Sequence, residues 1–374
     1  MQIVVNTRLL LPNKLDGIGW FSYQTLKRIT EGNPDVHFVF LFDRNFDEEF
    51  VFSDNITPLV IGPQARHAFL FYAWFQFSVK NVLNRLKPDL FLSPDGMLAL
   101  GAKCKQLPVI HDINFHHYPK DVPFWASKFY NRYFPLYAKE ATRIATVSEY
   151  SKNDIATNYK IDPNKIDVVY NGINESFTTV DEATKLAARK EVAEGKQYFV
   201  FVGSLHPRKN IKRLLLAFEK FKEESNSDFK LVLAGSAFWG MNELKETMDA
   251  MKHAKDVVFT GRLNDENLNK VVASAFALTF IPYFEGFGIP MVEAMQCEIP
   301  IIASNASCMP EIAGDAALFV NPYDVDEIKN AMLYLYNHPE EAGQLIEKGN
   351  KRKQLYSWDR SANLLWNSIE KSLA

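Results

Sequence analysis

Cysteine is scarce. Cys104, Cys297 and Cys308 are the only three in 374 residues, and their spacing matches neither a disulfide framework nor a Cys-x-x-Cys metal or redox site. They are expected to be reduced, mostly buried thiols. Long apolar runs are missing too: the longest, 36–42 and 275–283, fall far short of the roughly 20 residues that a spanning helix needs. There is no basic excess, since 42 Lys plus Arg face 45 Asp plus Glu for a net charge of −3, so a nucleic-acid partner is not expected. No basic leader or small-residue cleavage site precedes the strand-like start Met1-Gln2-Ile3-Val4-Val5-Asn6, and cytoplasmic residence is the expectation. Tandem repeats and low-complexity tracts are absent as well.

What is present is an ordinary globular composition, 47% apolar and 23% charged, at a length that favours two domains. Short runs rich in Val, Ile and Phe alternate with longer amphipathic segments, the pattern of parallel strands joined by crossover helices. The class is α/β, doubly wound. In the first half strands are predicted at 3–5, 38–42, 57–61, 90–92, 108–111, 143–147 and 166–169, with helices at 19–29, 69–86, 127–141 and 148–159. In the second, strands fall at 198–202, 230–234, 257–259, 277–281, 300–303 and 317–320, with helices at 209–224, 241–252, 265–273, 290–295, 324–337 and 339–356. The polar stretch 171–196 reads as the linker, giving domains 1–175 and 176–356. Aromatic residues reach 13% and crowd 66–86, while Lys120, Lys128, Arg132, Lys139, Arg143, Lys152, Lys160 and Lys165 punctuate 120–165. These are either solvated helix faces over a packed core, or an acceptor groove or weak membrane-surface contact.

In open parallel sheets ligands bind beyond the carboxyl ends of the strands, and four motifs fall there. In Gly203-Ser204-Leu205-His206-Pro207-Arg208-Lys209-Asn210 a strand ends in glycine and opens into two cations before a helix. Cations at a helix start oppose the macrodipole, so a structural reason for them is weak, whereas a planar fork beside a mobile ammonium suits a diphosphate. In Glu285-Gly286-Phe287-Gly288-Ile289-Pro290-Met291-Val292-Glu293 two glycines allow close backbone approach, and the helix start offers N–H groups to an anion or to sugar oxygens. Glu293 suits a ribose diol and Glu285 a sugar hydroxyl. Gly17-Ile18-Gly19 opens a helix at Trp20 but lacks a third glycine, because Ser22 stands in its place, so the dinucleotide fingerprint fails. His111-Asp112 closes a strand, and His116 and His117 follow without standard zinc spacing. Asp324-Val325-Asp326-Glu327 resembles a metal-binding Asp-x-Asp but reads better as a capped helix start.

Together these segments resemble the retaining glycosyltransferases of family 4, over nearly the whole chain. The most specific part is the Glu-x7-Glu element from Glu285 to Glu293, joined to the Gly203–Asn210 motif; the Gly17–Gly19 loop and His111-Asp112 agree in order and spacing. The resemblance implies a GT-B arrangement, two Rossmann-like domains facing across a cleft, with a closing helix at 357–374 returning to the first. It implies that Arg208 and Lys209 hold the donor diphosphate and Glu293 the ribose. Glu285 with the backbone of Gly286, Phe287, Gly288 and Ile289 would hold the sugar, Gly17 would sit at the phosphates, and Gly203 would belong to the donor site. His111 would lie beside the sugar, and the stretch with Arg262 and Leu263 would meet the nucleobase through backbone groups. The donor is a substrate, so no metal or other cofactor is expected. The subgroup motifs look most like bacterial mannosyltransferases, which makes GDP-mannose the favoured donor over a UDP-sugar. The acceptor would be a glycan or lipid-linked oligosaccharide, with peripheral contact at the inner face of a membrane. A non-catalytic nucleotide-sugar or glycan-binding protein on the same scaffold is the alternative from another class.

Overall fold

The computed structural model describes residues 1–12, 15–236 and 241–374. The chain divides into two compact units, Met1–Gly172 with Tyr356–Ala374, and Ile173–Leu355.

The first unit carries strands β1 (Gln2–Asn6), β2 (His37–Phe42), β3 (Ile56–Val60), β4 (Leu90–Ser93) and β5 (Lys105–Pro108) in the order β3-β2-β1-β4-β5, every neighbouring pair parallel. A further parallel pair, β6 (Ile144–Thr146) and β7 (Ile166–Val168), joins this sheet through a bridge between Val109 and Ala145. Helices cover both faces, which is why β1, β2 and β4 read as continuous apolar runs rather than alternating ones. The sequence places β5 at 108–111, but its ladder runs over Lys105–Pro108. Burial continues past the ladder through Val109 and Ile110, where the Val109 N–H still donates to the Ser93 carbonyl of β4 but the Ile110 N–H has turned to that of Ala145. An apolar pattern reports burial, not hydrogen bonding, and the two are out of phase here.

Helix Gly17–Gly32 is capped by Asp16, whose Oδ1 accepts from the Gly19 N–H at 3.0 Å, satisfying one of the orphan donors of a helix start. The segment predicted at 69–86 is helical from Ala68 to Leu86, with a π-helical stretch at Trp74–Val79. The wider turn buries two consecutive aromatics, Trp74 and Phe75, and the indole N–H of Trp74 donates to the Ile61 carbonyl at 2.8 Å. The last helix, Trp358–Leu373, is capped by Ser357 and tied to the rest of the unit by Arg28–Asp359 at 2.5 Å and Lys371–Asp167 at 2.9 Å. Its buried Trp358, Leu365 and Ile369 supply the apolar side of the contact.

The second unit holds β8 (Tyr198–Val202), β9 (Lys230–Ala234), β10 (Val257–Gly261), β11 (Ala277–Phe280), β12 (Ile301–Ser304) and β13 (Leu318–Val320). They form one parallel sheet ordered β10-β9-β8-β11-β12-β13. The stretch read as a linker, 171–196, is a correction: it contains helix Glu182–Ala193, N-capped by Asp181. Only Ala188 and Ala193 are buried, and Arg189 Nε donates to the Ser274 carbonyl at 3.0 Å. A helix built from Ala, Lys, Glu and Arg has high propensity but no apolar stripe of large residues, so periodicity does not reveal it.

Gly172 lies against the closing helix. A Cβ there would stand 2.3 Å from the Trp358 backbone nitrogen, closer than any side chain can be tolerated. Gly172→Ala is expected to lower stability by about 1–3 kcal/mol and to raise hydrogen exchange along 357–374. Gly343→Ala, where a Cβ would meet nothing within 4 Å, serves as the control. Unchanged exchange in the Gly172 variant would mean that the helix is held some other way.

Candidate active site

Because all strands of each sheet are parallel, their carboxyl ends share one edge. Strand order reverses between β8 and β11 in the second unit and between β1 and β4 in the first, and such reversals open a crevice for ligands. The expected site residues divide between the two units and are described unit by unit.

In the second unit, β8 is followed by Gly203, whose φ of +140° is a glycine conformation. Gly235, after β9, comes so close that a Cβ would stand 1.9 Å from the Gly203 carbonyl oxygen. Past Gly203 the chain forms a short 3-10 turn, Pro207–Lys209, in which His206 Nδ1 accepts from the Arg208 N–H at 3.3 Å. Asn210 then takes a left-handed conformation, φ +63°, which Asn tolerates better than most residues. Its side-chain amide donates to the carbonyls of Ile281 at 3.1 Å and Pro322 at 2.6 Å. The Tyr283 N–H donates to the Arg208 carbonyl at 3.0 Å. The loop after β8 is thereby stitched to the loop after β11, across the point where strand order reverses.

That stitching gathers three charges. Arg208 Nη1 and Lys209 Nζ both bond Glu285 Oε1, and Arg208 also donates to the Phe284 carbonyl at 3.4 Å. Lys209 is 8% exposed and Glu285 7%, and the ammonium lies 4.8 Å from the centre of the Phe280 ring. Burial opposes ionisation of Glu285, but the charges and hydrogen bonds of Arg208 and Lys209 outweigh it and hold the carboxyl below its usual range. A guanidinium has five N–H donors and an ammonium three, enough for phosphate oxygens and Glu285 together. Gly286 and Phe287 are buried, and Gly288, φ +88°, precedes helix Ile289–Gln296 with Pro290 in its first turn. That φ favours glycine, and a Cβ there would also displace the Met309 methyl, which would stand 2.7 Å away.

Glu293 is electrostatically the opposite of Glu285. No described residue hydrogen-bonds its carboxylate; burial, reinforced by the charge of Asp265, pushes its pKa up to about 8. A half-buried carboxyl without a protein partner is suited to accepting hydrogen bonds from a ligand. Arg262 and Leu263 follow Gly261 at the end of edge strand β10, just before the helix Asp265–Ala273 that carries Asp265. The structure thus brings Arg208, Lys209 and Glu285 together, with Gly203 beside Lys209, whereas Glu293 belongs with Asp265. Asp324 accepts from the N–H groups of Asp326 and Glu327 at 2.9 and 3.0 Å, a helix cap, and Asp326 pairs with Lys220 at 2.7 Å.

In the first unit, Gly17 is the first residue of its helix, while Gly19 is the hemmed-in one: a Cβ would lie 3.1 Å from Leu9 O and from Leu15 Cδ2. His111 Nε2 lies 2.9 Å from the Pro94 carbonyl. That nitrogen must carry the proton, because a carbonyl only accepts. Burial lowers the imidazole pKa despite the Pro94 bond and the charges of Asp112, Asp16 and Asp95, and Phe21 packs edge-on at 5.0 Å. The ring is therefore neutral, with Nδ1 as its acceptor. His117 contacts Asp154 at 2.8 Å, and no group of three or more His, Cys, Asp or Glu among the described residues is placed to hold a metal.

Sequence reasoning missed a buried pair in the same unit. Arg8 Nε donates to Asp95 Oδ2 at 2.5 Å, and Ser93 and the Met97 N–H hold Asp95 Oδ1 at 3.1 and 3.2 Å. Asn6 completes the network through Ser93 at 3.1 Å. The available signal was an arginine two residues beyond β1 and an aspartate two beyond β4, both at strand ends.

Comparison with known proteins follows this division. Residues 15–177 match the family model described as Glycosyltransferase Family 4, and residues 182–352 match that of the glycosyl transferases group 1. The O-antigen chain mannosyltransferase B of Escherichia coli is 25% identical over 267 residues, 71% of this chain and 70% of that protein. The O-antigen chain mannosyltransferase RfbU of Salmonella typhimurium is 28% identical over 269 residues, again 71% and 70%. Among solved structures, sucrose-phosphate synthase from Thermosynechococcus elongatus has a TM-score of 0.79 at 17% identity, covering 99% of this chain and 98% of that one, which shows a shared fold.

The raised pKa of Glu293 has a measurable consequence. In the unfolded chain the carboxyl ionises near its ordinary 4.5, in the folded chain near 8, so the folded state binds the extra proton between these values and stability falls as pH rises through the window. Glu293→Gln is expected to abolish this loss, by at most a few kcal/mol, so that wild type and variant diverge from pH 5 to 8 and run parallel above. Parallel stability profiles across the whole window would contradict the assignment.

Proposed function

Because the chain belongs to the family 4 glycosyltransferases, we propose that it moves a hexose, mannose from GDP-mannose, to a hydroxyl of a glycan or lipid-linked oligosaccharide during synthesis of a bacterial surface polysaccharide. The observation that carries the proposal is the convergence of Arg208 and Lys209 on Glu285 where strand order reverses. The names of the O-antigen mannosyltransferase relatives support the sugar and the pathway class. In this reading the two cations take the charge that develops on the departing diphosphate, and Glu285 keeps them collected while its carboxylate addresses a sugar hydroxyl. Glu293 accepts from the ribose diol. Backbone groups of Gly286, Phe287, Gly288 and Ile289 line the sugar, and those beside Arg262 and Leu263 meet the base. Gly17 and Gly203 leave room for phosphates, and His111 contributes a neutral imidazole near the sugar.

The proposed step retains configuration. The bond from the anomeric carbon to the diphosphate oxygen breaks with its electron pair leaving on the phosphate. The acceptor oxygen bonds to the same face, and the acceptor proton passes to the leaving phosphate. With two cations in place the scheme asks for no metal; positioning of the acceptor against water supplies much of the rate.

The first unit adds a membrane-surface contact to the proposal. No described helix is long and apolar enough to cross a membrane. Phe69, Phe77, Phe124 and Trp125 are nonetheless 77%, 59%, 65% and 76% exposed, and Trp125, Lys128, Arg132, Leu136 and Lys139 follow one another at helical spacing on exposed positions of Phe124–Glu140. Aromatic and cationic side chains on one helix face suit an anionic bilayer surface, where a lipid-linked acceptor would be presented.

Two measurements test these readings. In a thermal-shift panel of GDP, UDP, ADP and their sugar conjugates, GDP and GDP-mannose should raise the midpoint selectively, since ligand at about 100 times its Kd adds about 2.7 kcal/mol. Selective stabilisation by UDP compounds would replace the donor, and no stabilisation by any would remove the donor-site reading. The chain should also sediment with phosphatidylglycerol vesicles in low salt and be released by salt or by Trp125→Ser with Lys128→Glu. Equal behaviour with phosphatidylcholine vesicles would refute the electrostatic contact.

A further inference from the structure

The loop after β12 grips the loop after β11 in a way that neither motif pattern reveals. Strands β11 and β12 are paired neighbours, with Phe280 opposite Ala303, so the chain segments that leave them run side by side. The first carries Glu285 and the second Ser307-Cys308-Met309. Ser307 Oγ accepts from the Glu285 N–H at 3.1 Å, and Cys308 Sγ donates to the Glu285 carbonyl at 3.2 Å. Both backbone polar groups of Glu285 are thus held by consecutive residues of one turn. The third, Met309, is fully buried and fills the space beside Gly288 that a Cβ would need. Three adjacent residues therefore fix both ends of the 285–288 segment.

The conformation of the turn is unusual in a way that bears on purpose. Ser307 sits at φ +52°, a region that non-glycine residues occupy only where the surroundings over-determine it. Glycine would adopt it without strain, but glycine has no oxygen to receive the Glu285 N–H. Cys308 is likewise fully buried, and its thiol is directed at a carbonyl of the site rather than at the apolar core alone.

We propose that Ser307 and Cys308, backed by Met309, act as positioning residues for the transfer reaction. They fix the Glu285 peptide so that its carboxylate meets Arg208 and Lys209 in one orientation. The inference rests on the donor-site reading of that cluster. A peptide rotation at Glu285 would swing the carboxylate away from both cations.

Ser307→Gly separates the clamp from a merely structural role, because it relieves the backbone while deleting the acceptor. We expect a thermal midpoint equal to or above that of wild type. Exchange of the Glu285 amide, read by NMR, should be at least about tenfold faster. GDP release from GDP-mannose in the presence of acceptor should show kcat down about tenfold with the donor KM within threefold. Ser307→Asn, which tolerates the left-handed conformation and restores an acceptor oxygen, should recover much of both. Unchanged Glu285 exchange in the glycine variant overturns the clamp, as does wild-type kcat in that variant when Glu285→Gln is impaired. If Glu285→Gln itself turns over normally, the donor-site reading fails instead, and the exchange measurement still decides whether Ser307 holds the peptide.

Discussion

A guanidinium, an ammonium and one carboxylate meet where the strand order of the second unit reverses, and the surrounding backbone is shaped to permit it. Lys209 and Glu285 are nearly dry, and burying an unpaired charge costs several kcal/mol, so each depends on the other as its counterion. The glycine conformations at Gly203 and Gly288, the close approach of Gly235 and the left-handed Asn210 let the loops after β8, β9 and β11 approach closely enough to place these charges. Glu285 is then the part whose loss would be felt most widely, since both cations pair with its carboxylate.

The first unit repeats the device. Arg8 follows β1 and Asp95 follows β4, as Arg208 follows β8 and Glu285 follows β11, each pair spanning the reversal of its own sheet. The two pairs differ in surroundings. Asp95 is further satisfied by Ser93 and the Met97 N–H, and the Arg8 guanidinium lies 4.9 Å from the Phe71 ring centre. This pair is built into the scaffold. Arg208 is the more exposed of the two arginines, with 20% of its side-chain surface open against 9%, and it shares its carboxylate with a second cation. The same topological position therefore serves support in one unit and, in the proposed reading, chemistry in the other.

Much of this was legible from residue order. Parallel strands with both faces covered leave uninterrupted apolar runs, so the strands could be located and the strand-end motifs placed. Three kinds of feature stayed hidden. Helix Glu182–Ala193 buries little besides alanine, so its periodicity is silent and its polarity mimics a linker. The Arg8–Asp95 pair and the Ser307 contact join residues far apart in sequence, and no local pattern encodes them. Most instructive are Glu285 and Glu293, which read alike as a spaced pair of acids. Their protonation is set by Arg208 and Lys209 on one side and by burial, reinforced by Asp265, on the other, so one is held ionised and the other is pushed towards neutrality.

In the proposed transfer, everything depends on the two cations stabilising the leaving diphosphate. The direct measurement is turnover of Arg208→Ala and Lys209→Ala beside wild type, with folding verified by thermal midpoint, because removing a Glu285 counterion also strains the fold. Each variant is predicted to lose at least about 100-fold in kcat, equivalent to roughly 3 kcal/mol of transition-state stabilisation. Folded variants that both turn over within a few fold of wild type would contradict the claim and leave the Arg208–Lys209–Glu285 cluster a structural feature only.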